Sequence, residues 1–289
     1  MTFTMLVGLP GSGKSTFARS MNAVICSSDQ IREEFNLTDN IAVFAEMDRQ
    51  VRVALKAGND VVYDARNLNR KRRINYLKNL SHFAVRKKVI CFVTPFSICK
   101  EQNMLRDEKW QVSDSVYDKF IRSFQMPAKY EGWDVVKFIF DNRSFEPVFT
   151  FEKANVFDQE NSHHVLTLGE HLLSAERFAR EHGYDDRIVK ACRYHDIGKL
   201  ITKSFLNSKG EITDEAHFYG HDNASAYLFL SEIARNTMDD LLTANLINWH
   251  MQPFNWNSDK TIEKVKALIG EKMFEEISMV HQADVGGKT

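Results

Sequence analysis

One phosphate-binding motif near the N-terminus constrains the fold of this chain more than any other feature. Residues 8–15 read Gly-Leu-Pro-Gly-Ser-Gly-Lys-Ser, a complete G-x-x-x-x-G-K-[ST] loop. The apolar run at residues 3–7 predicts a buried strand before the loop, and Thr16 opens a predicted helix after it. Because strand, loop and helix stand in this order, we expect backbone N–H groups and the helix N-terminus to cradle nucleotide phosphates.

The residues of this loop have expected roles in binding ATP and Mg²⁺. Lys14 would reach the β- and γ-phosphates, and Ser15 would place its hydroxyl on Mg²⁺. The full set of predicted ATP and Mg²⁺ contacts is Gly8, Gly11, Ser12, Gly13, Lys14, Ser15 and Thr16.

The first half of the chain alternates short apolar runs with segments of helical periodicity. Apolar runs predict strands at residues 3–7, 22–26, 60–64, 88–93 and 135–140. Such strands interleaved with helices predict a parallel sheet covered on both faces, with ligands beyond the carboxyl ends of the strands. We therefore predict an α/β P-loop domain over residues 1–150 and an all-α domain over residues 151–289, joined by a polar connection.

Composition limits the class of protein. The net charge of −1 excludes a broadly basic surface, so a nucleic-acid site must be a local patch. Four sparsely spaced cysteines suit free thiols in a reducing compartment. No run reaches the about 18 apolar residues of a membrane span, and no basic leader precedes the first strand. We expect a soluble cytoplasmic protein without membrane contact, and the sequence leaves a homo-oligomer open.

Two aspartates follow predicted strands and have two interpretations each. Asp29, with Arg32 one helical turn later, could accept a proton from an attacking hydroxyl, or it could cap the helix at residues 30–35. Asp64 could orient Mg²⁺ or its water, or cap the next helix.

Arg106 lies in a segment that is predicted to be a charged helix. An arginine there could neutralise charge on a transferred phosphoryl group. The alternative is a surface arginine paired with Asp107 or Glu108.

The order of these motifs resembles the kinase domain of phage-type polynucleotide 5′-kinases over residues 3–140. The resemblance rests on the phosphate loop, on Ser-Ser-Asp-Gln-Ile-Arg at 27–32, on Asp-Ala-Arg-Asn-Leu-Asn-Arg-Lys-Arg-Arg at 64–73 and on Asn-x-x-Arg at 103–106. It implies that Asp29 is the general base for a 5′-OH, that Arg32 contacts substrate phosphate and that Arg106 contacts ATP.

The same resemblance implies an acceptor side of the site. Asp64 would lie at the acceptor pocket and Arg73 would contact the substrate. The basic run at 70–73 fits either a solvated helix face or a track for a phosphate backbone. Gln102 stands where the family often carries a basic residue.

The second half of the chain carries histidines at the spacing of helices. The adjacent His195 and Asp196 in Tyr-His-Asp-Ile-Gly-Lys could hold one metal from the same turn, and His171 lies 24 residues earlier. We favour ordinary core or surface roles for His182 and His281. The predicted metal ligands are His171, His195, Asp196, His221, His250 and Asp284, and six such ligands suit one or two divalent ions of a hydrolytic centre.

This ligand series resembles the HD phosphohydrolase superfamily, and most closely the HD domain attached to bacterial CCA-adding enzymes. Counterparts of residues 169–173, 195–199, 218–222 and 248–250 occur there. The resemblance implies an ion of the Mg, Mn, Fe, Zn, Ni or Co group, removal of 2′- or 3′-phosphates and opening of 2′,3′-cyclic phosphates. His164 and Lys199 would contact phosphate at the rim.

Together the two halves resemble bifunctional HD-domain polynucleotide kinases, although that group places the HD module first. The resemblance implies an enzyme that heals the ends of cleaved RNA (or DNA) before an RNA ligase joins them. Two alternatives remain: a nucleoside or metabolite kinase fused to an HD nucleotidase, and an HD hydrolase regulated by ATP binding.

Overall fold

A computed structural model describes residues 1–161 and 165–287 of this chain. Within that part, residue contacts define two compact units. The first comprises residues 1–94, 98–112 and 127–142, and the second comprises residues 95–97, 113–126 and those from 143 onward. Residues 113–126 therefore group with the second unit although they lie between elements of the first in sequence. The single boundary near residue 150 stays a prediction.

The described part of the first unit is built on a five-stranded parallel sheet with the order β2-β3-β1-β4-β5. The strands are β1 (Thr2–Val7), β2 (Val24–Ser27), β3 (Val61–Asp64), β4 (Arg86–Val93) and β5 (Val135–Phe140). The side chains of β3 and nearly all of β1 are buried, which explains why these runs are continuously apolar. The predicted parallel α/β fold is confirmed.

The helices of this half connect the strands. They are α1 (Lys14–Arg19), α2 (Ser28–Glu34), α3 (Asn40–Lys56), α4 (Arg70–Asn79) and α5 (Phe96–Met104). The phosphate loop runs from the carboxyl end of the central strand β1 into α1. Gly11 in this loop has φ +75°, and a Cβ there would lie 2.3 Å from the carbonyl oxygen of Cys99. The position therefore requires glycine for both its conformation and the close approach of α5.

The second unit is mainly helical, as predicted. Its helices are α6 (Asp114–Ile121), α7 (Phe151–Asn155), α8 (Leu168–Glu181), α9 (Asp186–Tyr194), α10 (Lys199–Thr202), α11 (His221–Leu228), α12 (Met238–Trp249), α13 (Asp259–Ile269) and α14 (Glu271–Gly286). Helix α9 packs against α8, α12 and α14. No helix in the described ranges is long and apolar enough to cross a bilayer.

One element of the second unit differs from the all-α prediction. An antiparallel hairpin of β6 (Ser204–Leu206) and β7 (Ile212–His217) lies between α10 and α11. The Asn207 side chain accepts hydrogen bonds from the backbone N–H groups of Lys209 and Glu211, which closes the turn. The Asn-Ser-Lys-Gly turn is typical of hairpins, but the strands on either side are too short to show a clear strand pattern in the sequence.

Candidate functional site

The phosphate loop holds its lysine close to its own backbone. Lys14 Nζ donates to the carbonyl oxygen of Leu9 at 2.6 Å and to Ser12 Oγ at 3.2 Å. Burial lowers the pKa of Lys14, and the charges of Asp64 and Asp29 act in the opposite direction. The carbonyl of Ser12 accepts a hydrogen bond from the Thr94 hydroxyl at 3.2 Å. Thr94, the residue after β4, therefore helps to hold the loop in place.

Asp64 lies against the hydroxyl of Ser15. It is buried at the end of β3, where burial raises its pKa and a hydrogen bond from Ser15 lowers it. The helix-cap alternative is wrong, because Asn69 caps α4 by accepting from the backbone of Arg72. A P-loop hydroxyl beside a buried carboxylate is the pair that holds Mg²⁺ in P-loop enzymes. This position favours a Mg²⁺ role for Asp64 over the acceptor-side role.

Asp29 lies in the first turn of α2 and forms an ion pair with Arg106. The helix is capped by Ser27, whose side chain accepts from the backbone of Gln30, so the capping interpretation of Asp29 is wrong. Arg106 Nη2 lies 2.8 Å from Asp29 Oδ2. Arg106 itself lies in a bend two residues beyond the end of α5, whereas we predicted a helix. Its ion pair joins the two residues for which we predicted a base and an ATP contact.

Arg32 lies in the same helix, α2, and its guanidinium contacts the connection to α3 and the first residue of α3. It donates to the carbonyl oxygen of Thr38 at 3.1 Å and to Asn40 Oδ1 at 2.5 Å. Its contact with substrate phosphate stays a prediction.

Arg73 has a structural position that does not fit its predicted substrate contact. Its side chain is 1% exposed and forms two hydrogen bonds with Glu131, of 2.8 and 2.6 Å. Its remaining terminal nitrogen donates to the carbonyl oxygens of Asn67 and Leu68. A guanidinium enclosed in this way does not reach a substrate, so we correct its role to one of holding α4 against the segment around Glu131.

The second unit brings the predicted metal ligands together from five places in the chain. His171 lies in α8, His195 and Asp196 directly follow α9, and Asp284 lies in α14. His221 is the first residue of α11, and His250 follows α12. Among the described residues, two groups could each hold an ion: His171, His195, Asp196 and Asp284, and separately Asp196, His221 and His250.

Asp196 belongs to both groups through its two oxygens. Oδ2 lies 3.3 Å from His171 Nε2 and 3.4 Å from His195 Nε2. Oδ1 lies 3.0 Å from His221 Nε2 and 3.4 Å from the corresponding nitrogen of His250. The arrangement matches a carboxylate that bridges two adjacent metal positions.

Three of these histidines have their ring orientation fixed by the backbone. The Nδ1 atoms of His195, His221 and His250 each lie 2.7 Å from the carbonyl oxygen three residues earlier. An Nδ1–H that donates to this carbonyl leaves the Nε2 lone pair available as a ligand. The local helix ends thus select the tautomer that binds metal.

The nitrogen and oxygen atoms of the cluster are arranged for binding a cation rather than for hydrogen bonding to one another. His171 and His195 face each other with an Nε2–Nε2 distance of 3.2 Å, and His221 and His250 do the same. Facing lone pairs at this distance need a cation or a proton between them. Asp196 Oδ1 is also a buried acceptor without a hydrogen bond in the described structure. Imidazole and carboxylate together suit ions such as Mn²⁺, Fe²⁺ or Zn²⁺.

The electrostatics of the cluster keep its carboxylates ionised. Burial alone would raise the pKa of Asp196, but His195 and Lys199 hold that pKa well below its usual value. His171 lies beside two carboxylates: burial lowers its pKa, but hydrogen bonding to Asp196 and Asp284 raises it to about 9. The two carboxylates thus favour a positive charge beside them, either a metal ion or a proton.

Lys199 and Gly198 complete the motif after Asp196. Lys199 Nζ is buried, 2.7 Å from Asp196 Oδ2 and 2.7 Å from Gln159 Oε1, and it lines the pocket at the cluster. A Cβ at Gly198 would lie 2.4 Å from the carbonyl oxygen of His221, so the glycine allows α10 to approach α11. The predicted phosphate contact His164 lies outside the described residues, and the contact of Lys199 stays a prediction.

Sequence reasoning missed several residues that surround these sites. Glu131 and Gln159 hold Arg73 and Lys199, and no local pattern marks either of them. Tyr219 and Phe254 line the pocket at the metal cluster. Their positions within a few residues of His221 and His250 were a usable signal.

Comparison with known proteins finds two family models along the chain. The AAA domain family model matches residues 3–127, and the HD domain family model matches residues 168–285. No curated protein matches the chain. A P-loop domain of this kind implies ATP and Mg²⁺, and an HD domain implies a divalent metal. The chain therefore consists of a kinase-like P-loop domain of the AAA type followed by an HD phosphohydrolase domain.

Proposed function

We propose that this chain heals RNA ends. The P-loop domain would phosphorylate 5′-OH ends with ATP, and the HD domain would remove 2′,3′-cyclic, 2′- or 3′-phosphates. The observation that carries the proposal is the Asp29–Arg106 ion pair, whose charges both act on Lys14 of the phosphate loop. It supplies a carboxylate base for an acceptor hydroxyl and an arginine for the transferred group, the two parts that a kinase adds to a nucleotide site.

In the kinase reaction, Asp29 accepts the proton of the attacking hydroxyl while Lys14 and Arg106 neutralise charge on the phosphoryl group. Asp29 is about half exposed and Arg106 is partly exposed, so their ion pair contributes only about 0–1 kcal/mol. Arg106 can therefore exchange Asp29 for ATP phosphates at little energetic cost. This exchange frees the carboxylate for the acceptor.

In the hydrolase reaction, the protein residues would position the metal and the substrate phosphate. A bound divalent metal would supply an activated water and Lewis-acid stabilisation of the phosphoryl oxygens. His171, His195 and Asp284 would hold the first position, His221 and His250 the second, and Asp196 both. Lys199 holds Asp196 in place from the pocket side and offers a cation near an incoming phosphate.

The test uses an RNA oligonucleotide with a 5′-OH and a 2′,3′-cyclic phosphate, incubated with ATP and with Mg²⁺, Mn²⁺ or Ni²⁺. We expect a 5′-phosphate and free 2′- and 3′-hydroxyls, the ends that an RNA ligase joins. Lys14→Ala and Asp29→Ala should abolish 5′-phosphorylation, while Asp29→Ala should keep ATP binding. Glu33→Gln, on the same helix as Asp29, is the matched control and should keep kinase activity.

The hydrolase half has its own variants. His195→Ala should abolish end hydrolysis and leave the kinase intact, and His182→Ala, an exposed histidine outside the cluster, is its control. Activity on mononucleosides without activity on oligonucleotides would replace the proposal with a small-molecule kinase and nucleotidase. ATP binding that changes hydrolysis without acceptor phosphorylation would replace it with a regulated hydrolase.

A further inference from the structure

A pocket opens beside the metal-ligand cluster of the second unit. Its volume is about 470 Å³, within the usual range of about 300–1,000 Å³ for small-molecule sites. Asp196, Asp284 and His221 line it from the cluster side. The pocket therefore has space for more than the phosphate group that the cluster would bind.

Tyr219 lines this pocket next to the second histidine pair. It stands two residues before His221 and is 46% exposed. Its ring stacks on that of His217, with 5.4 Å between centroids and 12° between planes. His217 Nε2 in turn lies 3.0 Å from Thr213 Oγ1 in the hairpin. The ring of Tyr219 is thus held by stacking on His217 and is accessible in the pocket.

Phe254 lines the same pocket from the other metal-ligand turn. It stands four residues after His250 and is 52% exposed. Its ring packs edge-on against His281, with a centroid distance of 4.5 Å and an angle of 88°. The two exposed rings therefore belong to the chain segments that carry two predicted metal ligands, His221 and His250.

Two amide side chains in the pocket suit a polar, planar ligand. The amides of Asn161 and Gln252 line the pocket together with the two aromatic residues. Aromatic rings bind nucleobases by stacking, and amides supply hydrogen bonds to base edges. A simple phosphate monoester would use neither set of groups.

We propose that Tyr219 and Phe254 form a nucleobase-binding subsite, so that the HD domain takes phosphates attached to a nucleoside. This proposal rests on the proposed end-phosphatase activity for its turnover assay. It assigns a substrate class to the pocket: the terminal nucleotide of a polynucleotide or a free nucleoside monophosphate.

The test compares uridine 3′-monophosphate with glycerol 2-phosphate, a secondary phosphate ester without a base. All proteins carry Lys14→Ala so that phosphoryl transfer does not consume the nucleotide, and Mn²⁺ is the metal. We expect Tyr219→Ala and Phe254→Ala each to raise KM for the nucleotide about 5- to 150-fold, the change that corresponds to loss of one base stack. The kcat for the nucleotide and the kcat/KM for glycerol 2-phosphate should change little.

Matched variants separate stacking from general damage. Tyr219→Phe and Phe254→Tyr keep an aromatic ring and should restore the KM of the parent protein. Phe205→Ala removes an aromatic residue of similar exposure outside the pocket and should have no effect. Unchanged KM in both alanine variants, or an equal loss with both esters, would overturn the subsite while leaving the phosphatase activity in place.

If the parent protein hydrolyses neither ester, calorimetry measures the binding of uridine 3′-monophosphate with Mn²⁺. Binding that weakens in Tyr219→Ala and Phe254→Ala would support the subsite although the proposed phosphatase activity had failed. No binding, or equal binding by all variants, would refute the subsite, and the RNA-end assay would still decide the proposed phosphatase activity.

Discussion

Replacement of Arg73 should destabilise the P-loop domain without impairing substrate recognition. The guanidinium is 1% exposed and pairs with Glu131, whose side chain is fully buried. Arg73→Met would leave this carboxylate with the indole of Trp133 at 2.9 Å and with Arg70 Nε 3.8 Å away, and it would remove the donor to two carbonyl groups. Breaking a buried ion pair from one side costs about 3–5 kcal/mol of unfolding free energy.

This cost is large relative to the stability of a domain of this size. A domain of about 150 residues loses about 2–4 °C in its unfolding midpoint per kcal/mol, so Arg73→Met should lower the midpoint by about 6–20 °C. Trp133 lies inside the network, so its fluorescence is a local probe of the transition in a background where Trp110, Trp249 and Trp256 are replaced by Phe. The double variant Arg73→Met with Glu131→Leu removes the buried carboxylate and should recover much of the loss.

The kinase assay then decides between the structural role and the role predicted from sequence. Well below its midpoint, Arg73→Met should keep the acceptor KM of the natural protein. An unchanged midpoint together with a raised acceptor KM would refute the reasoning and return Arg73 to the substrate site.

Three further predictions concern the two sites. Arg106→Ala should leave the unfolding midpoint unchanged, because its exposed ion pair contributes little, but should lower the kinase kcat about 10³-fold or more in single-turnover assays; full activity would exclude its role in transfer. His171→Ala should purify with less bound metal than the natural protein and without hydrolase activity, whereas His250→Ala should retain one ion by mass spectrometry. An unchanged metal content and hydrolase rate in His171→Ala would show that His171 is not a ligand. Burial lowers the pKa of His171, but hydrogen bonding to Asp196 and Asp284 outweighs this effect and raises the pKa to about 9. A metal ion that binds His171 at neutral pH must therefore displace a proton. Metal affinity should therefore increase from about pH 6 to about pH 9, and an affinity that is independent of pH over this range would show that His171 is already neutral.

The parts of the fold that sequence predicted are those that depend on local pattern. Each of the five strands of the described sheet contains an apolar run, and the runs in β1, β3 and the second half of β4 are buried because both faces of a parallel sheet are covered there. The ligand spacing also carries spatial information, because one ligand per helix in an antiparallel bundle returns each ligand to the same end. For this reason His171 Nε2 lies 3.3 Å from Asp284 Oδ1 although the two residues are 113 positions apart in the chain.

The parts that sequence did not predict depend on distant partners. Arg73 and Glu131 are 58 residues apart, and the arginine belongs to a run whose other members look like a solvated face. Charge alone does not distinguish a buried arginine from one that binds phosphate. In the same way, Ser27 and Asp29 are both good caps in sequence, and only the start of α2 at Ser28 decides between them.

The two candidate sites differ in burial, and this difference matches what each reaction requires. Asp29 and Arg106 are substantially exposed, so the two groups can separate when ATP and an acceptor arrive. Asp196 is almost fully buried and surrounded by imidazoles whose orientation the backbone fixes. Any rearrangement there would leave buried charge without a partner, at a cost of several kcal/mol. In the proposed function, the P-loop domain thus has its candidate reactive residues where partners can be exchanged, and the HD domain holds its candidate ligands in one geometry before metal and substrate arrive.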